Sequence, residues 1–385
     1  MSVDAEQFRS NFPVLERKTY FATCSQGALS DALTGALTEF QSSLVEFGAP
    51  WPQWTRRVEE ARSRFASLIG ARADEIALVS CASEGAYQVV SGIDWSPGDS
   101  VVTTLVEFPS IAHVWLAQRA RGARVKFAAA PDGFTTVEEY ERAIDHTTRL
   151  VSVPLIGYRN GHRLPVRQIT ALARERGAQV FVDAYQGAGV EPIDVRELDC
   201  DYLVTGSLKY LLGIPGVAFL YVRKGTRRDL EPQLTGWFGR VDPFCFDPRQ
   251  LDFAPAARRY ETGTPPIPAV YGAVAGMRLL SLVSPHAVAS HVSALTGHLQ
   301  TELTAMGEHI GSPFPADERG PQVALRDDHP DRMASFLSER HIVASPRADV
   351  LRLAVHYYTS EADVRALLRG ITDYRAQYGL SAARP

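Results

Sequence analysis

Nothing in this chain is long and apolar enough to cross a bilayer. Hydrophobic runs such as Val151 to Tyr158 end within about ten residues, where a spanning helix needs about twenty. Positive charge is not in surplus either. Forty Lys and Arg stand against 44 Asp and Glu, a net charge of −4, so the bulk footprint expected for nucleic acid or an anionic membrane is missing and any anion site must be local. Cysteine is scarce. Cys24, Cys81, Cys200 and Cys245 are scattered and form no CxxC pair, which argues against a disulfide framework and against a zinc or other metal site. The opening MSVDAEQFRSNFP carries an early acidic residue and no apolar core, unlike a secretory signal. Repeats and low-complexity stretches are absent too. These absences predict a cytoplasmic protein with reduced thiols.

What is present is ordinary globular composition, 45% hydrophobic and 22% charged over 385 residues, enough for two domains or one large one. Seven short runs rich in Val, Leu and Phe read as buried strands: EIALVS (75–80), SVVTTL (100–105), RVKFAA (124–129), RLVSVPLI (149–156), QVFVDA (179–184), DYLVTG (201–206) and VAFLYV (217–222). Between them lie amphipathic stretches such as VRQITALARERG (166–177), which ends at glycine. Alternating strands and helices imply an α/β domain with a largely parallel sheet, over residues 19–255. Beyond it, PPIPAVYGAVAGMRLLSLV (265–283) reads as a long helix. A mixture of helices (330–340) and short strands (350–356) then suits a smaller α+β domain, 256–385, completed by residues 1–18.

Ligands of open parallel sheets bind beyond the carboxyl ends of the strands. Three groups of residues fall at such places. Asp183 ends the apolar strand QVFVDA, where a carboxylate is costly without a partner. Lys209 interrupts the apolar, glycine-rich DYLVTGSLKYLLGIPG, surroundings that lower an amine's pKa. Ala82, Ser83 and Glu84 follow a strand and open a helix, whose free amides and dipole suit a phosphate. Together they offer a phosphate cradle, an anion for a ring nitrogen and an amine for an aldehyde. Each alone has an ordinary structural explanation; their order and strand context make the conjunction specific.

Seven segments in order carry a resemblance over nearly the whole chain: YFATCSQGALS, VSCASEGAYQVV, VEFPSIAH, DAYQGAG, TGSLKYLLG, RRYETGTP and VLRLAVHYYTSEADVRAL. The chain resembles the class V aminotransferases, the group that includes cysteine desulfurases, selenocysteine and cystine lyases, kynureninase and isopenicillin-N epimerase. The resemblance implies a PLP-dependent transferase of fold type I: a mainly parallel seven-stranded sheet flanked by helices, with a smaller α+β C-terminal domain. It implies pyridoxal 5′-phosphate (PLP) as cofactor, with Lys209 as the Schiff-base lysine and proton shuttle. Asp183 is then the partner of the pyridine nitrogen, Gln186 of the phenolic oxygen, and Phe108 the ring that stacks on the cofactor. Ser83, the backbone around it at Ala82 and Glu84, and Ser207 would hold the phosphate, joined by Thr264 from the second subunit of a homodimer. Arg352 would clamp the substrate carboxylate, and Tyr158 stands where many relatives have asparagine near the ring oxygen. Two positions depart from the family pattern: Leu208 replaces a common histidine or tyrosine, and Gly206 a common serine.

The resemblance does not select a reaction. Desulfurases present a nucleophilic cysteine shortly before the carboxylate-binding arginine, whereas here that stretch is HIVASPRADVLR, without a thiol. A persulfide-forming desulfurase is therefore disfavoured. Cys24 falls near the substrate but reads as a small buried thiol, and Cys81 as a packing residue. Trp237 and Phe238, in GWFGRVDPFCFDP, could face the substrate from a loop over the site or belong to a satellite core. The expected activity is C–S lysis by α,β-elimination at an L-cysteine S-conjugate or a similar β-substituted amino acid. Transamination, or decarboxylation coupled to oxidative deamination, is the alternative; epimerisation and a non-catalytic PLP-binding module follow. The Ala- and Arg-rich composition adds a weak hint of secondary metabolism.

Overall fold

Runs of Val, Leu and Phe without alternation bury both faces of a strand, and the seven such runs form one sheet. The computed structural model describes residues 3–226 and 231–378. Residues 1–2 and 379–385, assigned above to the smaller domain, and 227–230 of the larger one lie outside the described residues. The strands are β1 (Ile76–Val79), β2 (Ser100–Thr104), β3 (Arg124–Ala128), β4 (Thr148–Pro154), β5 (Gln179–Asp183), β6 (Tyr202–Gly206) and β7 (Ala218–Val222). Their spatial order is β1-β7-β6-β5-β4-β2-β3. Neighbours from β3 through β6 pair in parallel, while β7 runs antiparallel to both β6 and β1. Only β3, at an edge, has a largely unburied pattern. The mainly parallel seven-stranded sheet expected from the sequence is therefore present.

Helices form where apolar residues recur at helical spacing. In chain order they include α1 (Asp31–Phe47), α2 (Trp51–Leu68), α3 (Ala82–Ser91), α4 (Pro109–Ala117), α5 (Val166–Glu175), α6 (Ile267–Leu280), α7 (Pro285–Ala305), α8 (Pro330–Glu339) and α9 (Glu361–Tyr378). In α5 the buried residues are Val166, Ile169, Thr170 and Ala173, one stripe of the helix, and the chain turns at Gly177 with φ +73°. One face of the sheet packs Phe181, Tyr202, Val204 and Leu220 against Ala86, Val89 and Val90 of α3 and Ile111 and Trp115 of α4. No single helix among the described residues is long and apolar enough to cross a membrane.

A second, antiparallel sheet comprises β8 (Gln322–Arg326), β9 (Ser345–Arg347) and β10 (Val350–Ala354), in the order β9-β10-β8. Thr19 and Tyr20 pair in parallel with Ile342 and Val343 beside it. The Ala354 N–H donates to the Phe21 carbonyl, so the N-terminal segment is led from the small sheet toward the ends of the large one. Helix α6 packs on α1 and α2, although it follows residue 256. The division into 19–255 and 1–18 plus 256–385 is retained as a proposal.

Every parallel strand ends on the same side. Glu107 follows β2, Tyr158 follows β4, Asp183 closes β5 and Lys209 follows β6. The turn that carries Lys209 needs a glycine beside it. Gly189 has φ +106°, and a Cβ there would lie 2.3 Å from the Tyr210 carbonyl oxygen. Gly189→Ala is expected to cost about 2 kcal/mol or more through strain and overlap, read as a lower thermal midpoint. An unchanged midpoint would show that the two turns are not pressed together.

Candidate active site

A turn can present a lysine accurately only if its own backbone is tied down. After β6 the Ser207 N–H donates to Val217 O (3.2 Å), Gly213 N–H to Ser207 O (2.8 Å) and Leu212 N–H to Lys209 O (3.1 Å). From the N-terminal segment, Gly27 N–H reaches Leu208 O at 2.8 Å. Lys209 enters a cavity of about 340 Å³, whose wall includes Cys24, Phe108, Tyr158, Asp183, Gln186 and Arg352. Its Nζ lies 4.2 Å from the centre of the Tyr185 ring and 5.5 Å from that of Phe108. Enclosure by protein pushes its pKa down to about 8; the carboxylate of Asp183 opposes the fall, and the charges of Arg352 and Arg347 add to it. A lysine so placed gives up its proton far more readily than a free one and so supplies a nucleophilic amine just above physiological pH.

Asp183 is buried, and burial raises its pKa, against the pull of the Tyr185 N–H at 2.9 Å and of Lys209. Behind it lies a second carboxyl that the sequence reading overlooked. Glu107 is buried and accepts hydrogen bonds from Ser152 Oγ (2.7 Å), Thr103 Oγ1 (3.3 Å) and its neighbour's backbone at Phe108 N (3.0 Å). Among the described residues no cation pairs with it. Burial first and the charge of Asp183 second push it up to about 8. The available signal was a glutamate at the end of an apolar strand, the same signal that singled out Asp183.

At the opposite wall, Cys81 precedes the first turn of α3, and Ala82 and Ser83 reach the cavity. The first-turn amides of a helix have no partner within the helix, as a site for an anion requires. Glu84 contributes only its backbone. Its carboxylate accepts from Ser80 N (2.7 Å), from the Ser80 hydroxyl and from Thr262 Oγ1 (3.2 Å), which keeps a negative group away from a phosphate. Ser207 is corrected: its hydroxyl donates to Ile214 O at 2.7 Å inside the lysine turn and does not reach the cavity. Thr264 is exposed and lies off its own chain's cavity. Cys81, read as packing, is exposed on the cavity wall.

Arg352 is 1% exposed yet has no carboxylate partner among the described residues. Its guanidinium donates to Ser345 Oγ (2.7 Å), Ser25 Oγ (2.9 Å), Tyr158 O (3.1 Å) and Ser345 O (3.4 Å), all neutral acceptors. A buried charge without a counterion is expensive, and an anionic ligand would supply what is missing. Gln186 spends its Nε2 on Cys24 O (3.2 Å) and leaves Oε1 buried without a partner. The amine of Lys209, the carboxyl of Asp183, the helix end at 82–83 and the Phe108 face fit a phosphorylated pyridine aldehyde; the idle Oε1 of Gln186 is an acceptor and fits a donor on a ligand.

Trp237 and Phe238 do not line this cavity. Trp237 packs on Trp51, Phe238, Phe244 and Phe246, with ring centres 4.6–6.0 Å apart, so the satellite-core alternative is the observed one in this chain. Gly206 is explained by Tyr185: a Cβ at 206 would lie 2.0 Å from the Tyr185 hydroxyl, so the tyrosine takes the room a serine side chain would need. His356 is a core residue, stacked on Tyr358 (4.7 Å) and held by burial at about 4. His113 is exposed on α4.

Comparison with known proteins agrees with this geometry. The family description "Aminotransferase class-V" matches residues 31–367. An uncharacterized aminotransferase of Bacillus subtilis, YcbU, is 36% identical over 94% of this chain and 95% of its own. A probable cysteine desulfurase of Methanothermobacter thermautotrophicus is 27% identical over 94% of this chain and 96% of its own. Among solved structures, the cystine C–S lyase C-DES in complex with its product cysteine persulfide superposes with a TM-score of 0.87, covering 94% of this chain and 99% of that one at 24% identity.

The raised Glu107 pKa has a consequence for stability. A carboxyl whose folded pKa lies above its ordinary 4.5 favours the folded state fully below that value and loses the advantage as pH climbs to about 8. In cofactor-free protein, Glu107→Gln should gain thermal stability relative to the wild type as pH goes from 5 to 8, two values chosen to bracket that window. A midpoint difference that stays constant or moves the other way would mean that Glu107 is ionised in the fold.

Proposed function

The chain is a PLP-dependent enzyme of the aminotransferase class-V family, and on that premise we propose that it cleaves the C–S bond of an L-cysteine S-conjugate or a related β-substituted amino acid by α,β-elimination. The observation that carries this reading is the cavity wall itself. A near-neutral lysine and an unpaired buried arginine face one space, while the hairpin before that arginine, Ala344 to Arg347, offers a hydroxyl and a guanidinium but no thiol.

When bound, the cofactor supplies an electron sink conjugated to the carbon that bears the amino group. The rest falls to the protein. Arg352, with the hydroxyls of Ser25 and Ser345 beside it, holds the α-carboxylate and so turns the Cα–H bond toward Lys209. Asp183 would hold positive charge at the cofactor's ring nitrogen, Gln186 and Phe108 would hold the ring, and the first turn of α3 would hold the phosphate, joined by Thr264 of a second subunit. Lys209 Nζ accepts the Cα proton. The electron pair of that bond becomes the Cα–Cβ double bond, and the C–S pair leaves with sulfur as a thiolate, which takes up a proton. Water then converts the enamine product to pyruvate and ammonia. The homodimer and a cytoplasmic setting belong to the same reading.

A second reading has its own observation. Cys24 and Cys81 both line the cavity, and either could take the sulfur, as in the relatives named cysteine desulfurase. The test is product analysis of purified holoenzyme with cystine and S-substituted cysteines. Elimination yields pyruvate, ammonia and a free thiol or persulfide; transamination yields an oxo acid with the sulfur still attached; desulfuration of cysteine yields alanine and a persulfide on Cys24 or Cys81. Absence of pyruvate with any S-substituted cysteine would sink the lyase reading. Under it, Lys209→Ala should lower kcat by about 10²–10⁴ through loss of the proton acceptor. Arg352→Gln should cost about 2–5 kcal/mol in kcat/KM through loss of a buried charge pair.

A further inference from the structure

The cavity wall is unbalanced in charge. Three cations, Lys209, Arg347 and Arg352, face one carboxylate, Asp183. In the reading above, Asp183 is reserved for the ring nitrogen, Lys209 works as the proton-accepting amine and Arg352 takes the α-carboxylate. Arg347 is left over.

Its placement is fixed by the hairpin. Ser345 pairs with Arg352 and Arg347 with Val350 across β9 and β10, and the turn is closed by Ala348 with φ +53°. Side chains two apart on a strand share a face. Because the Ser345 hydroxyl meets the Arg352 guanidinium at the cavity, Arg347 projects to the same side, roughly 7 Å further along the strand. Unlike Arg352, it is exposed, at the mouth. It makes no hydrogen bond or ion pair among the described residues. The nearest carboxylate in sequence, Asp349, is engaged by Arg159 and Arg326 and does not neutralise it. Its field reaches the reacting centre all the same, for it acts with Arg352 on Lys209.

We propose that Arg347 is a specificity-determining residue that binds an acidic group on the substrate's side chain, so that the preferred substrate is an amino acid with a second carboxylate or other oxyanion on its β-substituent. The inference rests on the proposed function for the sulfur in that substituent; the charge requirement stands on the cavity alone. The guanidinium fork matches a carboxylate, and a cation this close to the mouth adds steering of a dianion to its binding.

Matched acid and amide compounds test it. Wild-type holoenzyme would be titrated with S-carboxymethyl-L-cysteine and S-carbamoylmethyl-L-cysteine, and with L-glutamate and L-glutamine, following the visible absorbance of the bound cofactor for Kd and pyruvate for turnover. Wild type is expected to bind each acid about tenfold more tightly than its amide, equivalent to about 1.4 kcal/mol, with the difference shrinking as salt is raised. R347Q should bring acid and amide to within about twofold of each other, and R347K should restore part of the preference. Equal binding of acid and amide by the wild type, no absorbance change with any of the four, or an equal loss for both in R347Q would overturn the proposal. An acid preference lost in R347Q without pyruvate from either cysteine derivative supports Arg347 and removes the lyase reading. Pyruvate from both derivatives at rates indifferent to R347Q does the reverse.

Discussion

An amine and a carboxyl enclosed in the same small cavity each resist ionisation by burial, and each is helped to ionise by the other. Lys209 and Asp183 stand in that relation, and the remaining architecture serves it. Burial wins at the lysine, held at about 8, because two arginines share the space and add repulsion. It also wins at Asp183, whose carboxyl is raised, because only one backbone N–H and the lysine act against it. A positively charged ring nitrogen brought next to Asp183 would reverse the second balance without disturbing the first. The cavity is therefore electrostatically suited to one kind of occupant: cationic at one edge, anionic at the far end, and reactive toward an amine.

The fold that makes this possible was largely legible in the sequence. The seven apolar runs became the seven strands with end shifts of one or two residues, since their lengths and lack of alternation suit only a doubly covered sheet. Strand ends then located Asp183, Lys209 and the start of α3, because a parallel sheet collects its carboxyl ends on one side. What was not legible depends on contacts between distant segments. Ser207 looked available beside the lysine, yet the closure of its own turn consumes its hydroxyl. Glu84 was expected to offer only its backbone, but the partners that occupy its carboxylate, Ser80 and the distant Thr262, could not be read from it. Trp237 and Phe238 suggested a lid, and Trp51, far upstream, claims them. Nothing local to these residues records such partners.

Gly206 and Glu107 show two sides of the same limit. As a departure from a family pattern, Gly206 suggested a weakened site. In three dimensions it is half of an exchange, because Tyr185 fills the space a side chain would occupy and brings its ring over Lys209. Glu107 gave little local sign of its setting, since Ser152 and Asp183, which help to define it, come from other strands. It matters because, among the described residues, its hydrogen-bond donors are all neutral and no cation pairs with it.

Two carboxyls in one apolar layer cannot both be charged without a large penalty. Asp183 has Lys209 in the cavity and a backbone N–H at 2.9 Å, so it has compensation for a negative charge and Glu107 has less. The two environments push the proton toward Glu107 and the charge toward Asp183, the kind of separation by which paired carboxyls acquire different roles. Hydroxyls of Thr103 and Ser152, on neighbouring strands, hold Glu107 in place, and Tyr140 fixes the same strand through the Ser152 carbonyl at 2.9 Å. The negative charge that the cavity presents to a ring nitrogen is thus set by a layer of side chains that never reaches the cavity surface.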